Sequence, residues 1–326
     1  MYQTKVLSGE YFKIFGGVYN DFRNTAKKDY KFELEPLDYA GFIEYFEKGL
    51  LDCIMLLEED IPTGFLVYSL ATKGVVEMYI IHCLGDENLN EKRNTLTTAF
   101  LQNIGHLRVE RIVEYPMLGK QADYRDAISH YGFKFVDLAV VVFDVTDKRK
   151  QKDLSSAQTI NLPIGYKVVP YRDIYFEELS NAVYLSFQNS SDVNFDPRFL
   201  SIEGSRDVTD KIVNSIYGRF IPQASKVLLH ENKLVGFCLA NITAGSIGNI
   251  PLVGIVPDHR GLGLSRILLK SVMEDLIKSG KIGFIRLSEV NASVDANNTS
   301  AYKMYKEVGF EESYVYPQAY LPKLGS

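Results

Sequence analysis

Apolar residues Leu264, Ile267, Leu268, Val272 and Leu276 recur at intervals of three and four, which predicts a helix over residues 263–279 with one buried face. The stretch before it, residues 249–256, is apolar and short and ends at Pro257, the signature of a strand running into a turn. The same reading carried through the second half predicts a strand at 166–169, helices at 175–187 and 207–217, and strands at 225–230 and 235–243. A strand at 282–290, a helix at 298–308 and a final strand pair complete it. In the first half, helices are predicted at 11–25, 37–49 and 88–106, and strands at 53–58, 64–71, 75–82 and 110–115. Residues 135–145 read as a buried strand. Residues 147–162 are rich in Lys, Asp, Ser and Gln with almost no apolar periodicity, and so read as a linker. Periodicity alone supports an α/β or α+β class.

The two halves echo each other. Leu56-Leu57-Glu58-Glu59-Asp60-Ile61-Pro62-Thr63-Gly64-Phe65-Leu66 matches Leu228-Leu229-His230-Glu231-Asn232-Lys233-Leu234-Val235-Gly236-Phe237-Cys238 at five of eleven positions, at an offset of 172 residues. Each copy reads as a β-hairpin whose second strand carries Gly-Phe. Tyr131-Gly132-Phe133 aligns with Val308-Gly309-Phe310 at an offset of 177. A period this long fits two copies of one domain rather than a solenoid. The expected organisation is therefore a first domain over 1–146, a linker over 147–162 and a second domain over 163–326.

Composition narrows the function classes. The 326 residues suffice for two domains with full cores, and 46% hydrophobic with 24% charged residues is an ordinary globular balance. A net charge of −5 argues against broad binding to nucleic acid or anionic membrane. The basic run Lys148-Arg149-Lys150-Gln151-Lys152 falls in the expected linker and reads as a solvated stretch. The longest apolar run, 138–143, is too short to span a bilayer, and residues 1–9 hold no apolar leader segment. Cys53, Cys83 and Cys238 form no C-x-x-C pair and read as buried thiols of a reducing, cytoplasmic compartment. The five histidines show no metal-ligand spacing, so no metal is expected.

The chemistry concentrates in the last quarter. Val256-Pro257-x-x-Arg260-Gly261-x-Gly263-x-Ser265 joins the strand to the helix, and Asn298-x-x-Ala301-x-x-x-Tyr305-x-x-x-Gly309-Phe310 follows one helix and one strand later. Glycines at a helix mouth let an anion reach unpaired main-chain N–H groups at the positive end of the helix dipole. Alone, the first motif reads equally as a plain tight turn. The two motifs together, in this order, resemble the GNAT superfamily of acyl-CoA-dependent N-acyltransferases, over roughly residues 165–326.

The resemblance implies an α+β fold, a mostly antiparallel twisted sheet flanked by helices, in two tandem domains. The arrangement of one intact and one degenerate copy is similar to that of two-domain members of the superfamily. It implies acetyl-CoA, or another short acyl-CoA, as co-substrate and a small-molecule or peptide amine as acceptor. Backbone groups of Gly254, Ile255 and Val256 would meet pantetheine. The amides of Arg260, Gly261, Leu262, Gly263, Leu264 and Ser265 would hold the pyrophosphate, with the Arg260 side chain adding charge. Ser265 stands where the family has Gly or Ala. Asn298 would either contact the cofactor or cap its helix, Ala301 would let the cofactor approach, and Tyr305 would protonate the departing thiolate. Many members carry a base on the strand before the glycine turn, where residues 249–253 offer no carboxylate. Glu289 is the candidate on the next strand, and residues 291–296 read as an insertion.

The polar segment 188–204, with Asp192, Asn194, Asp196 and Arg198, reads as the acceptor loop, its carboxylates drawing in a cationic amine. Tyr314, Tyr316 and Tyr320 are candidates to line the acceptor side or to pack between domains. In the first copy, Asp86-Glu87-Asn88-Leu89-Asn90-Glu91 stands at the glycine turn, and Gln121, Tyr124 and Ile128 stand for Asn298, Ala301 and Tyr305. That copy is expected to be a scaffold. The leading expectation is an N-acetyltransferase acting through the second domain. The alternatives are a non-catalytic acyl-CoA sensor, or an aminoacyl transferase of the kind that pairs two such domains but lacks the Arg260–Ser265 motif. The oligomeric state, a homo-oligomer included, stays open.

Overall fold

Two hairpins with the same turn sit at the centre of the architecture. The turn residues Glu59 and Asp60 have φ of 50° and 62°, and Glu231 and Asn232 have φ of 48° and 64°. Two successive left-handed residues match the twist of the flanking strands, and Asp and Asn tolerate that conformation best after Gly. A computed structural model describes residues 2–29, 38–70, 74–114, 124–156, 162–243, 247–282 and 287–322. Contacts divide the chain into two units, residues 1–136 with 316–326, and residues 137–315.

The first unit is built on strands β1 (Tyr2–Val6), β2 (Asp52–Glu58), β3 (Ile61–Ser69), β4 (Val75–Cys83) and β5 (Arg111–Glu114), with helices α1 (Phe12–Asp29), α2 (Tyr39–Glu47), α3 (Leu89–Ile104) and α4 (Arg125–Ser129). β1 to β4 pair antiparallel in sequence order, and β4 pairs β5 in parallel. Strand alternation sends Cys53, Met55, Phe65 and Val67 to the α1/α2 face with Phe15, Tyr19 and Phe42, and sends Ile54, Leu56, Leu66 and Tyr68 to the α3 face with Leu96 and Phe100. Where an anion turn was sought, α3 starts at Asn88, which has φ 52° and makes no side-chain cap. Lys92 in its first turn is buried and donates to the Leu84 carbonyl. Tyr124 is fully buried against α3, its hydroxyl 2.6 Å from Thr97 Oγ1, and Ile128 is fully buried too. Gln121 lies outside the described residues.

The second unit begins within β6 (Lys134–Asp144) and continues through α5 (Lys148–Ser156), β7 (Tyr166–Pro170), α6 (Phe176–Phe187), α7 (Ile202–Val213), β8 (Arg219–Phe220), β9 (Lys226–His230), β10 (Lys233–Cys238), β11 (Asn241–Ile242), β12 (Ile247–Asn249), β13 (Val253–Ile255), α8 (Leu264–Ile282), β14 (Glu289–Asp295), α9 (Thr299–Val308) and the start of β15 (Glu311–Pro322). One ladder runs β7-β9-β10-β13; another runs β6-β14-β12-β11-β8. α8 and α9 pack on one face through Leu268, Val272, Leu276, Met304 and Val308. α6 and α7 pack on the other through Leu179, Val183, Val208 and Ile212.

The units depart from a sequential cut at residue 146. Residues 138–144 of β6 pair with β14 inside the second unit, and residues 319–322 of β15 pair with β5 inside the first. The stretch expected to be a linker begins with α5, which is anchored by Leu154 (5% exposed) in the α8 core; residues 157–161 lie outside the described residues. Its charged run hid a single apolar anchor. β14 runs over Glu289–Asp295, so residues 291–295 of the stretch read as an insertion are strand; of the strand expected over 282–290, residues 283–286 lie outside the described residues. Removing the anchor with Leu154→Ala is expected to lower unfolding stability by about 2–4 kcal/mol, as for other buried Leu truncations. A free linker would show no change in a urea melt.

Candidate functional site

Pro251 opens the site. β12 and β14 run in parallel to the pair Asn249–Asn291, and the last rung is Ile250 N–H donating to the Asn291 carbonyl at 2.9 Å. The next rungs would need the Ile250 carbonyl and the Leu252 N–H, but Leu252 turns its carbonyl to Leu239 instead, and the two strands part at Pro251. β14 continues to Asp295 against β6, while β13 stays with β10. Leu239 donates to Leu252 and Val256 to Val235, so residues 252, 254 and 256 spend their backbone groups on β10. The edge of β13 that faces the gap therefore carries the groups of Val253 and Ile255. Of the expected Gly254, Ile255 and Val256, Ile255 alone lies on that edge. A Cβ on Gly254 would sit 2.6 Å from Phe237 Cζ and 3.0 Å from Ser186 Cβ, so this glycine serves close packing under α6.

The end of β13 feeds a 3-10 turn, Pro257–His259, and then the mouth of α8. Gly261 and Gly263 have φ of 81° and 71°, and no atom lies within 4 Å of a Cβ built on either. Side chains are disfavoured there by backbone conformation, while the space beside the turn stays open. The first-turn N–H groups of α8 have no intrahelical acceptor and point at that space, with Leu262 exposed, Leu264 buried and Ser265 half-buried. A diphosphate fits this chemistry. Arg260 takes a different part from the one expected. Its N–H donates to the Pro257 carbonyl, its Nε to the Ile255 carbonyl at 2.9 Å and its Nη2 to the Ser186 carbonyl at 2.7 Å. The guanidinium ties the end of β13 to the end of α6 and so fixes the turn rather than reaching for an anion.

α9 supplies the opposite wall. Asn298 is its N-cap: its Oδ1 accepts from Ala301 N–H at 3.1 Å, and its own N–H donates to the Asp295 carbonyl. Of the two roles expected for Asn298, capping is the one its hydrogen bonds display. Ala301 and Tyr305 follow one turn apart on the same face. Tyr305 is 3% exposed, with its ring 5.2 Å from that of Phe310. Burial pushes its phenol well above the usual tyrosine range, helped by the nearby Cys238 thiol and Asp192 carboxylate. The hydroxyl makes no hydrogen bond among the described residues. Cys238 is fully buried and its thiol is pushed up by burial, so it is inert as a nucleophile.

Asp192 acts on Tyr305 through its charge. It sits in a 3-10 turn, Ser191–Asn194, just after α6. Burial raises its carboxyl; the Ser190 hydroxyl opposes this, and the Asp295 and Asp196 charges add to it. Ser191 Oγ donates to Asp295 Oδ2 at 2.5 Å, and Asn297 N–H donates to Asp295 Oδ1 at 2.9 Å. Asp295, 6% exposed at the end of β14, was missed from sequence because residues 291–296 were read as an insertion. The alternation of polar and apolar residues in Glu289-Val290-Asn291-Ala292-Ser293-Val294-Asp295 was the available signal. Asp196 and Arg198, expected in the acceptor loop, neutralise each other through bonds of 2.8 and 2.7 Å. Asn194 stays in the 3-10 turn with Asp192. Glu289 stands at the opposite end of β14, paired with Ile247 where the strands are still joined, six residues before Asp295. It is not brought to Tyr305. Tyr320 pairs with Val113 in the first unit, under the Arg111 guanidinium; Tyr316 belongs to that unit and Tyr314 to the second. No group of His, Cys, Asp and Glu among the described residues could hold a metal ion. No helix among them is long and apolar enough to cross a membrane.

Residues 200–310 match the model of the acetyltransferase (GNAT) family. A mycothiol acetyltransferase from Kocuria rhizophila is 32% identical over 89 residues, 26% of this chain and 27% of that protein. One from Renibacterium salmoninarum is 33% identical over 98 residues, 27% of each. The chain thus spans about a quarter of the length of these relatives. The fold extends further. A GCN5-related N-acetyltransferase from Sphaerobacter thermophilus superposes with a TM-score of 0.63 at 16% identity, over 98% of this chain and 95% of that one. A tandem GNAT protein from the clavulanic acid biosynthesis pathway gives 0.60 at 12% identity over the whole of both chains. Within the second unit, residues 200–310 match the GNAT acetyltransferase model, and the chain has the fold of tandem GNAT proteins.

Asp192 carries its raised carboxyl at a cost. A group whose folded value lies above its unfolded value supports the native state only while protonated, and that support is lost as pH rises through the folded value. Asp192→Asn is therefore expected to raise Tm at neutral pH, with the gain shrinking as pH falls below the ordinary carboxylate range. A Tm unchanged at every pH would mean the carboxylate is fully hydrated.

Proposed function

We propose that the second unit transfers a short acyl group, acetyl foremost, from acyl-CoA to an amine. One juxtaposition carries this reading: the glycine turn at the α8 mouth opens beside the free edge of β13, and Tyr305 stands across the gap. The thioester supplies an activated carbonyl and a thiol leaving group. Around it, each protein group has a separate task. The amides of residues 261–265 take the diphosphate, and the Val253 and Ile255 backbone groups pair with the pantetheine amides as an added strand would. Arg260 holds both surfaces in register through Ile255 and Ser186.

Tyr305 gives its hydroxyl proton to the departing thiolate. Burial holds the phenol protonated until a thiolate develops beside it, at some cost in acidity. A phenol that ionised readily would arrive at the reaction without the proton. The domain match over residues 200–310 supports the reaction class, and the acceptor remains a property of the loop and of β14.

Isothermal calorimetry with acetyl-CoA tests the binding half. Micromolar uptake is expected, and Gly263→Val, strained at φ 71°, is expected to weaken it at least about tenfold. Absence of uptake of any acyl-CoA by the folded chain overturns the reading. For the chemical half, Tyr305→Phe is expected to leave acetyl-CoA affinity in place and to lower kcat by about 10²- to 10⁴-fold in a thiol-release assay. Unchanged turnover removes the proton-donor role.

A further inference from the structure

The carboxylates in the gap have no partner of opposite sign on the loop that carries one of them. Besides burial, the charges acting on Asp192 are those of Asp295 and Asp196, both negative. The one basic side chain of the segment 188–204, Arg198, is taken up by Asp196 and by the Tyr217 hydroxyl. Asp295 is buried and, among the described residues, accepts from a hydroxyl and a backbone amide, neither of which carries a counter-charge. Two like charges held close and out of water are unfavourable unless a cation joins them.

One further group points to a ligand. Tyr305 is 3% exposed, and its hydroxyl makes no hydrogen bond among the described residues while the Asp192 charge acts on it. The gap thus offers two carboxylates and a phenol with no described partner.

Building on the acyl-transfer reading, we infer that the acceptor enters as an alkylammonium ion held between Asp192 and Asp295, and that Asp192 is the base that frees its lone pair. Asp192 takes one proton from the ammonium. The neutral nitrogen attacks the thioester carbonyl, the C–N bond forms and the C–S bond breaks. The sulfur takes the Tyr305 proton, and the second proton leaving the nitrogen restores Tyr305. Asp192 returns its proton to solvent, so each turnover yields amide, free thiol and one released proton. Asp192 thereby fills the place left by the carboxylate-free residues 249–253. Its burial assists, since a carboxyl raised by desolvation is the stronger base. Asp295 is the anchor that positions the cation.

The test uses the full chain with acetyl-CoA and three amines, cadaverine, glucosamine and a lysyl dipeptide, beside their hydroxyl analogues. Asp192→Asn is expected to bind acetyl-CoA as the wild type does and to lose about 10²- to 10³-fold in kcat/KM at neutral pH. Activity should recover as pH rises and the free amine arrives already deprotonated, a response that a structural defect would not give. Asp295→Asn is expected to raise the amine KM about tenfold or more with a smaller change in kcat, and EDTA should change nothing. Wild-type kcat/KM in both variants overturns the inference, as does loss of activity with EDTA or transfer to the hydroxyl analogues in preference to the amines. If acetyl-CoA is not taken up by the wild type, it is the acyl-transfer reading that fails. In that case a cadaverine-induced rise in Tm, lost in the Asp192→Asn/Asp295→Asn double variant, still supports the cation site, and no rise overturns it.

Discussion

The parting of the chain from β14 at Pro251 governs the second unit. The parallel pairing of β12 with β14 stops one residue before it, and everything that can bind a ligand lies beyond that point. The edge of β13 that β14 leaves is without a strand partner, and of its groups the Ile255 carbonyl is taken by Arg260 Nε. Tyr305 and Asp192 come within electrostatic reach of each other. A continuous ladder would seal the gap and separate them. A strand edge left open in this way is a liability in a protein of this size, and here it is confined to three residues, Val253–Ile255. Arg260 limits it further by spending two guanidinium nitrogens on the Ile255 and Ser186 carbonyls.

Burial and neighbouring groups act differently on each polar group of the site. Desolvation keeps the Tyr305 hydroxyl protonated and makes it a donor. Desolvation and like charge raise Asp192 and make it a better acceptor of a proton. Hydrogen bonds from Ser191 and Asn297 hold Asp295 without a counter-charge. Burial of unpaired charge subtracts from stability, and that cost is the expected mark of a site kept for binding.

Much of this was legible in the chain. The α8 helix and the glycine turn were set by spacing alone, and the paired hairpins by the repeated Gly-Phe and by two-residue turns of Glu-Asp and Glu-Asn. What sequence hid was three-dimensional exchange. The strands at 134–144 and 311–322 find their partners far along the chain, which no local pattern reports. Arg260 was read as an anion contact because its sequence neighbours are anion-binding glycines. Only the fold reveals that two carbonyls lie nearer to it. Glu289 was favoured over Asp295 because the expected strand ended at 290, five residues before the observed end at Asp295. The masking element was the apolar run Phe284-Ile285-Arg286-Leu287, which drew the predicted strand away from the weaker alternation that follows.

The two copies explain each other. Both keep the hairpin, because its turn and its Gly-Phe pair are demanded by packing: a Cβ on Gly64 would meet the His82 carbonyl at 2.9 Å, and one on Gly236 the Ile255 side chain at 2.6 Å. They diverge where packing makes no demand. Gly261 and Gly263 have empty space beside them, so no core contact requires glycine there. In the first unit the matching helix mouth has no glycine and is filled by its own Lys92, while Tyr124 and Ile128 close the wall that Ala301 and Tyr305 leave available. A fold that closes this mouth in one copy does not need it open for stability. The opening in the second copy is therefore a feature retained for a ligand, and it is the difference between the repeats, more than their likeness, that locates the function.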